Sequence, residues 1–257
     1  MKKKKSKIDF SKIKEKIKNA TKPEKTKTNV DAVSSGVPGL DEALGGGIPK
    51  NSFVLLSGSA GAGKSTLAMQ FLLNGYESGE KTVYVSLEED PAKLIKDFKN
   101  FNWPIQKAID EKKLMIVKPA IYKFEPLLES IKNVVERNNA TRLVIDSSSL
   151  LSMYFEKAYE VRRGLAELDR NIKRLGVTTF AISEIMEGSK WLSTTGVEEF
   201  IADGVIILHI TKNENEYTRA LSVRKMRSAK HSLKIMPMQI NKEGIVVYPE
   251  EEVFSQV

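Results

Sequence analysis

From about residue 31 onward, apolar positions follow two alternating patterns along the chain. Short apolar and β-branched runs predict buried strands, and longer segments with apolar residues three or four positions apart predict helices. The strands are expected at residues 52–57, 82–87, 114–117, 142–145 and 177–182. The helices are expected at residues 64–76, 91–98, 125–136 and 159–175. Because strands and helices alternate, the pattern predicts an α/β fold with a mostly parallel central sheet.

After Asp203 the pattern changes to consecutive strands with no helix between them. The apolar runs read VIILHI, TRALSVRKM, LKIMPMQI and GIVVYP, which predicts a C-terminal β-meander. No internal repeat or linker divides this part of the chain. We therefore expect one domain over residues 31–252, followed by a short tail over residues 253–257.

The first 30 residues differ in composition from the rest. They hold twelve lysines and three acidic residues, a net charge of +9, whereas the remaining chain has a net charge of −1. Phe10, Ile13 and Ile17 fall at helical spacing among the lysines, which predicts a short basic amphipathic helix. This segment is either a docking element for nucleic acid, an anionic membrane or a protein partner, or a solubilising tail.

Composition limits the kinds of functional site that the chain can carry and the cellular location that we expect. The chain has no cysteine, which excludes disulfides, thiolate metal sites and cysteine nucleophiles, and its having only two histidines disfavours a histidine-based metal site. No apolar run reaches the roughly 18–20 residues of a membrane span. The basic N-terminus is not followed by the apolar segment of a secretory signal. We therefore expect a cytoplasmic protein without a transmembrane segment.

Residues 58–66 read GSAGAGKST and match the phosphate-binding pattern G-x-x-x-x-G-K-[ST] between a predicted strand and a predicted helix. In this arrangement Lys64 reaches the β- and γ-phosphates of ATP, and the Ser65 hydroxyl coordinates Mg²⁺. Backbone N–H groups and the helix N-terminus surround the phosphates. The nucleotide-binding residues are expected to be Gly58, Ser59, Ala60, Gly61, Ala62, Gly63, Lys64, Ser65 and Thr66.

Further polar residues follow other predicted strands, where ligands of α/β proteins bind. Asp146 ends the apolar run LVI in the Walker-B arrangement and is expected to hold Mg²⁺ with Ser65. Glu88 and Glu89 follow the strand TVYVSL, and we predict Glu88 as the base that activates the attacking water. Neighbouring residues of an extended chain point in opposite directions, so both need not face the phosphate. Ser183 and Glu184 are candidate sensors of the γ-phosphate.

Several motifs and their order along the chain resemble those of the KaiC-like branch of the RecA superfamily, especially the single-domain archaeal KaiC-like ATPases. The resemblance covers roughly residues 31–250, and the lysine-rich segment lies outside it. The matching stretches are GVPGLDEALGGGIPKNS at 36–52, GSAGAGKST at 58–66, VYVSLEEDP at 83–91, LVIDSSSLL at 143–151, GVEEFIADGVIIL at 196–208 and KMRSAKH at 225–231.

The resemblance implies a RecA-like P-loop NTPase core that assembles into homo-oligomeric rings, commonly hexamers, with ATP between neighbouring subunits. Glu88 and Glu89 match the catalytic glutamate pair of the family. The family also has a K-x-R element that reaches the γ-phosphate bound by the adjacent subunit. Lys225 and Arg227 match this element, and His231 falls at the matching position that follows.

The chain departs from the family pattern at two places. Ser228 stands where the family often has glycine, a difference that could alter the conformation of the local turn. Glu199 and Phe200 stand at the positions where KaiC, the two-domain clock protein of the family, autophosphorylates a Ser-Thr pair in its second domain. Because neither side chain accepts a phosphoryl group in that way, a clock-type phosphorylation cycle is not expected.

Three functions stay open from the sequence. The first is an ATP-hydrolysing ring protein that acts in regulation or signalling through an unidentified protein partner. The second is a DNA-binding recombinase or recombination mediator, favoured by the loop EGSKWLSTTG at 187–196 and the basic tail, but disfavoured by the slightly acidic body. The third is a nucleotide-gated scaffold with slow turnover.

Overall fold

The computed structural model describes residues 31–119, 123–186, 189, 191–213 and 216–251. Within these residues nine strands form one central sheet, and two short strands pair separately. The strands are β1 (Ala32–Val33), β2 (Ile48–Pro49), β3 (Phe53–Gly58), β4 (Thr82–Ser86), β5 (Leu114–Val117), β6 (Arg142–Asp146), β7 (Thr178–Glu184), β8 (Gly204–Asn213), β9 (Glu216–Met226), β10 (Ile235–Asn241) and β11 (Gly244–Val247).

Helices connect the parallel strands and cover the sheet. They are α1 (Leu40–Ala43), α2 (Lys64–Glu77), α3 (Pro91–Asp97), α4 (Ile105–Asp110), α5 (Phe124–Asn138), α6 (Ala158–Leu175) and α7 (Glu198–Ile201), with 3₁₀ turns at Phe98–Asn100 and Ser148–Tyr154. None of the helices in the described part of the chain is long and apolar enough to cross a membrane.

The order of strands in the large sheet is β11-β10-β9-β8-β3-β7-β6-β4-β5. The six strands from β8 to β5 are parallel to their neighbours, and β9, β10 and β11 continue as an antiparallel meander. The predicted α/β fold with a mostly parallel sheet and a C-terminal meander is therefore confirmed. This order places β3 in the interior of the sheet, so that the loop after it lies between the ends of β7 and β8.

The strands and helices predicted from residue 31 onward are present, and their bounds differ by at most three residues from the observed ones. Sequence reasoning missed α1, α4 and α7, because segments of four to six residues are too short to show a helical period. The lysine-rich segment over residues 1–30 and the tail over residues 253–257 lie outside the described residues.

The sheet carries a hydrophobic core on each face. On one face α2 packs its Leu67 and Phe71, and the Phe71 ring stacks on Phe180 of β7 with the centroids 4.4 Å apart. On the other face α5 and α6 bury side chains that include Leu127 and Leu165. A fully buried side chain of this kind stabilises the fold by about 1.5–3 kcal/mol. The strand ends that carry polar residues are therefore fixed to a rigid platform.

The turn after β9 packs on the glycine segment that follows α1. Ser228 has a φ of 63°, so the residue that replaces the family's usual glycine adopts the left-handed conformation. Gly45 has a φ of 73°, and a Cβ atom placed there would lie 2.1 Å from the carbonyl oxygen of Lys230. The Ser232 amide also donates to the Ala43 carbonyl at 2.7 Å. Two stretches that are far apart in the sequence thus determine one turn.

Candidate nucleotide-binding site

The phosphate-binding loop runs from the end of β3 to the start of α2. Gly61 and Gly63 have φ values of 77° and 102°, which L side chains rarely adopt, so glycine is required for this path of the chain. The amide of Ala62 donates to the carbonyl of Ser59 at 3.2 Å and closes the turn. Gly63 directly precedes α2, so the partial positive charge of the helix N-terminus lies at the loop.

Lys64 is nearly enclosed by the loop, with 7% of its side chain exposed. Its Nζ donates to the carbonyl oxygens of Gly58 and Ser59, both at 3.0 Å, and lies 3.6 Å from Oε1 of Glu184. Burial lowers the pKa of Lys64, whereas the charge of Glu184 opposes that shift. The ammonium group is thus held at the inner side of the loop by oxygen atoms, which phosphate oxygens can replace as partners.

Asp146 receives two hydrogen bonds on the same carboxylate oxygen. Ser65 Oγ donates to Asp146 Oδ2 at 2.9 Å, and the Tyr84 hydroxyl donates to this oxygen as well. Burial raises the pKa of Asp146, and burial likewise raises the pKa of Tyr84 well above its usual value. The peptide bond between Asp146 and Ser147 is cis. Hydroxyl and carboxylate oxygens are the donors that Mg²⁺ prefers, so the pair Ser65 and Asp146 fits this ion.

The two adjacent glutamates point in different directions. Oε1 of Glu88 accepts a hydrogen bond of 2.5 Å from Oγ of Ser147, the residue after Asp146. Oε1 of Glu89 instead lies 2.7 Å from Nζ of Lys93, one turn along α3. Glu88 therefore faces the crevice next to the end of β6, and Glu89 faces the neighbouring helix.

The two candidate sensor residues at the end of β7 have different surroundings. Glu184 contacts Lys64 directly, as described above. Ser183 is fully buried, and its Oγ lies 3.2 Å from Oγ1 of Thr194 and accepts from the Thr194 amide at 3.1 Å. Thr194 also donates to the carbonyl of Glu184 at 2.6 Å. Ser183 thus connects the strand end to the following loop, and Glu184 is the member of the pair that lies at the phosphate-binding loop.

Lys225 and Arg227 of the KMRSAKH stretch lie at the opposite end of the strands, where β9 ends and β8 begins. Lys225 Nζ donates to the carbonyl oxygens of Glu199 at 3.0 Å and Ala202 at 2.5 Å. Arg227 Nη1 lies 3.1 Å from Oδ1 of Asp203, which precedes β8. Among the described residues, the buried Nδ1 atom of His231 has no hydrogen-bond partner.

Strand pairing gives the separation between these residues and the loop of the same chain. Met226 pairs with Gly204, which in turn pairs with Val54 near the start of β3. The phosphate-binding loop follows Gly58 at the opposite end of β3, four steps beyond Val54, so about 13 Å along the strand separate the level of Met226 from the start of the loop. Within one chain, the structure does not bring Lys225 and Arg227 to the phosphate-binding loop.

Two residues at the site were missed by the sequence reasoning. Tyr84 contacts Asp146, and Arg219 of β9 donates from Nε and Nη2 to the carbonyl of Gly61, each at 3.2 Å. The position of Tyr84 two residues before the end of β4 could have indicated a side chain on the same face as the strand's last residue. Arg219 gave no signal, because its contact depends on the register of a long-range antiparallel pair.

Comparison with known proteins agrees with this geometry. The family model described as ATPase: KaiC matches residues 33–252. The KaiC-like protein PH0186 of Pyrococcus horikoshii has a similar structure, with a TM-score of 0.79 and 40% identity, covering 86% of this chain and all of that chain.

Curated relatives are similar over most of their length. A UPF0273 protein of Pyrococcus furiosus is 34% identical over 239 residues, covering 86% of this chain and 96% of the relative. A UPF0273 protein of Sulfurisphaera tokodaii is 38% identical over 233 residues, covering 84% and 81% respectively. The phosphate-binding loop, the Walker-B strand and these similarities together place the chain in the family of KaiC-like ATPases, a family of nucleotide-binding P-loop proteins.

Proposed function

We propose that the protein binds ATP with Mg²⁺ and hydrolyses it at the interface between subunits of a ring, commonly a hexamer, in a regulatory or signalling role. The observation that carries this proposal is the convergence of four side chains at the carboxyl ends of three strands. Lys64 and Ser65 follow β3, Glu88 follows β4 and Asp146 ends β6. Their contacts give the crevice an ammonium group, a hydroxyl and two carboxylates, which is the set that phosphoryl transfer to water requires.

In the proposed reaction, the loop amides and Lys64 bind the phosphates and neutralise the charge that develops on them. Ser65 and Asp146 would hold Mg²⁺, which supplies further neutralisation when it is bound. Glu88 orients the attacking water and accepts its proton, and Ser147 holds the Glu88 carboxylate at 2.5 Å. Glu184 is proposed to sense the γ-phosphate, because it lies 3.6 Å from Lys64, the residue proposed to bind that phosphate.

Lys225 and Arg227 are proposed to act on the nucleotide of a neighbouring subunit, with His231 beside them. They flank Met226, whose level at the amino end of β3 lies about 13 Å along the strand from the loop of their own chain, and this separation supports action between chains. A phosphate-binding loop at one end of the strands and cations at the other end also suit a head-to-tail contact, which generates closed rings when the rotation closes.

The test is phosphate release by the purified protein and by Glu88→Gln. We expect Glu88→Gln to lower the rate by about 10²–10⁴-fold and to leave ATP binding unchanged, because only the water-activating group is lost. Glu89→Gln is the matched control, since it makes the same change in a side chain that faces Lys93, and its rate should fall less than about tenfold. Equal rates in the parent and in Glu88→Gln would contradict the proposed hydrolysis.

A further inference from the structure

Tyr84 is a polar residue in an otherwise apolar stretch of β4. It is fully buried and lies in the core on the α2 face of the sheet, and its strand neighbours Val83 and Val85 are fully buried as well. A buried tyrosine hydroxyl requires a hydrogen-bond partner, and phenylalanine would fill the same space without that requirement. The partner of the Tyr84 hydroxyl is the Asp146 carboxylate.

The strand register explains why tyrosine can reach this carboxylate. Tyr84 pairs with Val144 across the parallel strands β4 and β6, and Asp146 lies two residues beyond Val144. Two residues along a strand lie on the same face, about 6.6 Å apart. The tyrosine side chain extends along the sheet by that length and places its hydroxyl beside Asp146 at the end of β6.

The hydrogen bonds leave the two carboxylate oxygens of Asp146 in different environments. Oδ2 accepts from Tyr84 and from Ser65, while in the described part of the chain no side-chain or backbone group donates to Oδ1. Two donors on one oxygen fix the rotation of the carboxylate about its last bond. Oδ1, which receives no such donor, is available for a cation or for a water molecule bound to it.

We propose that Tyr84 is a positioning residue that orients Asp146 for the magnesium ion of the bound nucleotide. This inference rests on the proposed function only in requiring Mg²⁺-linked nucleotide binding, and it does not require hydrolysis. Groups that hydrogen-bond to a metal-binding carboxylate typically change metal affinity by about 10–100-fold when they are removed. The affinity for nucleotide without Mg²⁺ depends on the loop amides and Lys64, whereas the hydrogen bond of the Tyr84 hydroxyl goes to Asp146.

The experiment is a fluorescence titration of the full chain with mant-ATP, first in EDTA and then with increasing Mg²⁺. Tyr84→Phe removes the hydroxyl and conserves the ring, so the core stays filled. We expect this variant to need an at least tenfold higher Mg²⁺ concentration for the half-maximal increase in mant-ATP binding. Its affinity for mant-ATP in EDTA should be unchanged. Tyr76→Phe is the matched control, because it removes a hydroxyl that binds a carboxylate, Glu111, away from the site.

Each outcome separates the inference from the proposed function. If Mg²⁺ increases mant-ATP binding by the parent protein and the Tyr84→Phe variant shows the same dependence on Mg²⁺ concentration, the role of Tyr84 alone is overturned. Equal losses of affinity in EDTA and in Mg²⁺ would also overturn it, because they would show a general structural defect. A parent that binds mant-ATP without any Mg²⁺ effect would refute both, whereas Mg²⁺-linked binding without phosphate release would refute only the hydrolysis.

Discussion

Arg142 at the start of β6 is a buried cation whose guanidinium group is surrounded by acceptors. It is 2% exposed, and its Nε and Nη2 donate to the two carboxylate oxygens of Glu80 at 2.9 and 2.7 Å. Its Nη1 donates to the carbonyl oxygens of Ser34 and Phe71 at 2.8 and 2.9 Å. The residue connects the start of the domain, α2 and β6 at the end of the sheet opposite to Asp146.

The ion pair between Arg142 and Glu80 leads to a prediction about how the free energy of unfolding changes in acid. Burial alone would raise the pKa of Glu80, but the hydrogen bonds from Arg142 and Thr141 bring it below its ordinary value of 4.5. A lowered pKa in the folded state means that the pair's contribution is complete above pH 4.5. This contribution is lost as the pH falls from 4.5 through the folded-state pKa.

We therefore expect the free energy of unfolding to fall less steeply below pH 4.5 in Glu80→Gln than in the parent. Urea denaturation at a series of pH values measures this slope. Glu77→Gln, which changes an exposed glutamate of α2, serves as the control and should follow the parent curve. Parallel curves for the parent and Glu80→Gln would show that the pair does not contribute to acid sensitivity.

At the scale of elements, the glycine segment after α1 contacts the turn after β9, which directly follows Lys225 and Arg227 in the chain. Gly45→Ala would place a methyl group against the Lys230 carbonyl in a backbone conformation that alanine disfavours. We expect this substitution to displace the turn and to lower ATP hydrolysis by up to about 10²-fold, because a shift of about 1 Å can have that effect. Binding of mant-ATP to the chain's own loop should stay within about twofold, since the loop lies at the other end of β3.

Gly79→Ala is the matched control for this prediction. Gly79 has a φ of 84°, but a Cβ atom there would meet nothing within 4 Å, so the control carries the backbone strain without the collision. Equal phosphate release by Gly45→Ala and Gly79→Ala would show that the turn does not depend on this contact.

The elements also show how much the sequence could predict. Strands and long helices were recovered because burial imposes periods of two and 3.6 residues on their apolar positions. The proximity of Lys64, Ser65, Glu88 and Asp146 could be predicted, because a parallel sheet places the carboxyl ends of its strands side by side. The contacts of Tyr84 with Asp146 and of Arg219 with Gly61 could not be predicted, because they depend on strand register and side-chain length, which no local pattern encodes.

At the scale of the whole molecule, the two halves of the proposed site lie at opposite ends of β3. A cation supplied by a neighbouring chain can be worth about 10³–10⁵ in rate in related phosphoryl-transfer enzymes. We therefore expect phosphate release per chain to fall on dilution, as assemblies dissociate. Arg227→Ala should lower the rate by about 10³-fold or more at any concentration while retaining binding of mant-ATP.

Light scattering run beside the assay relates the rate to the mass of the particle. Arg170→Ala is a control that removes an exposed arginine of α6 and should behave as the parent does. A rate per chain that is constant down to the monomer, or an assembled Arg227→Ala protein with full activity, would contradict action between chains.

The separation of the loop from Lys225 and Arg227 has a consequence for mixtures of inactive chains. Glu88→Gln retains the cations at the amino end of β3, and Arg227→Ala retains the glutamate at the carboxyl end. When the two proteins are mixed in equal amounts and allowed to exchange subunits, about a quarter of the contacts join two intact halves. Each protein alone should be nearly inactive, and the mixture should regain up to about a quarter of the parent's activity, as complementation between defective copies of one gene product.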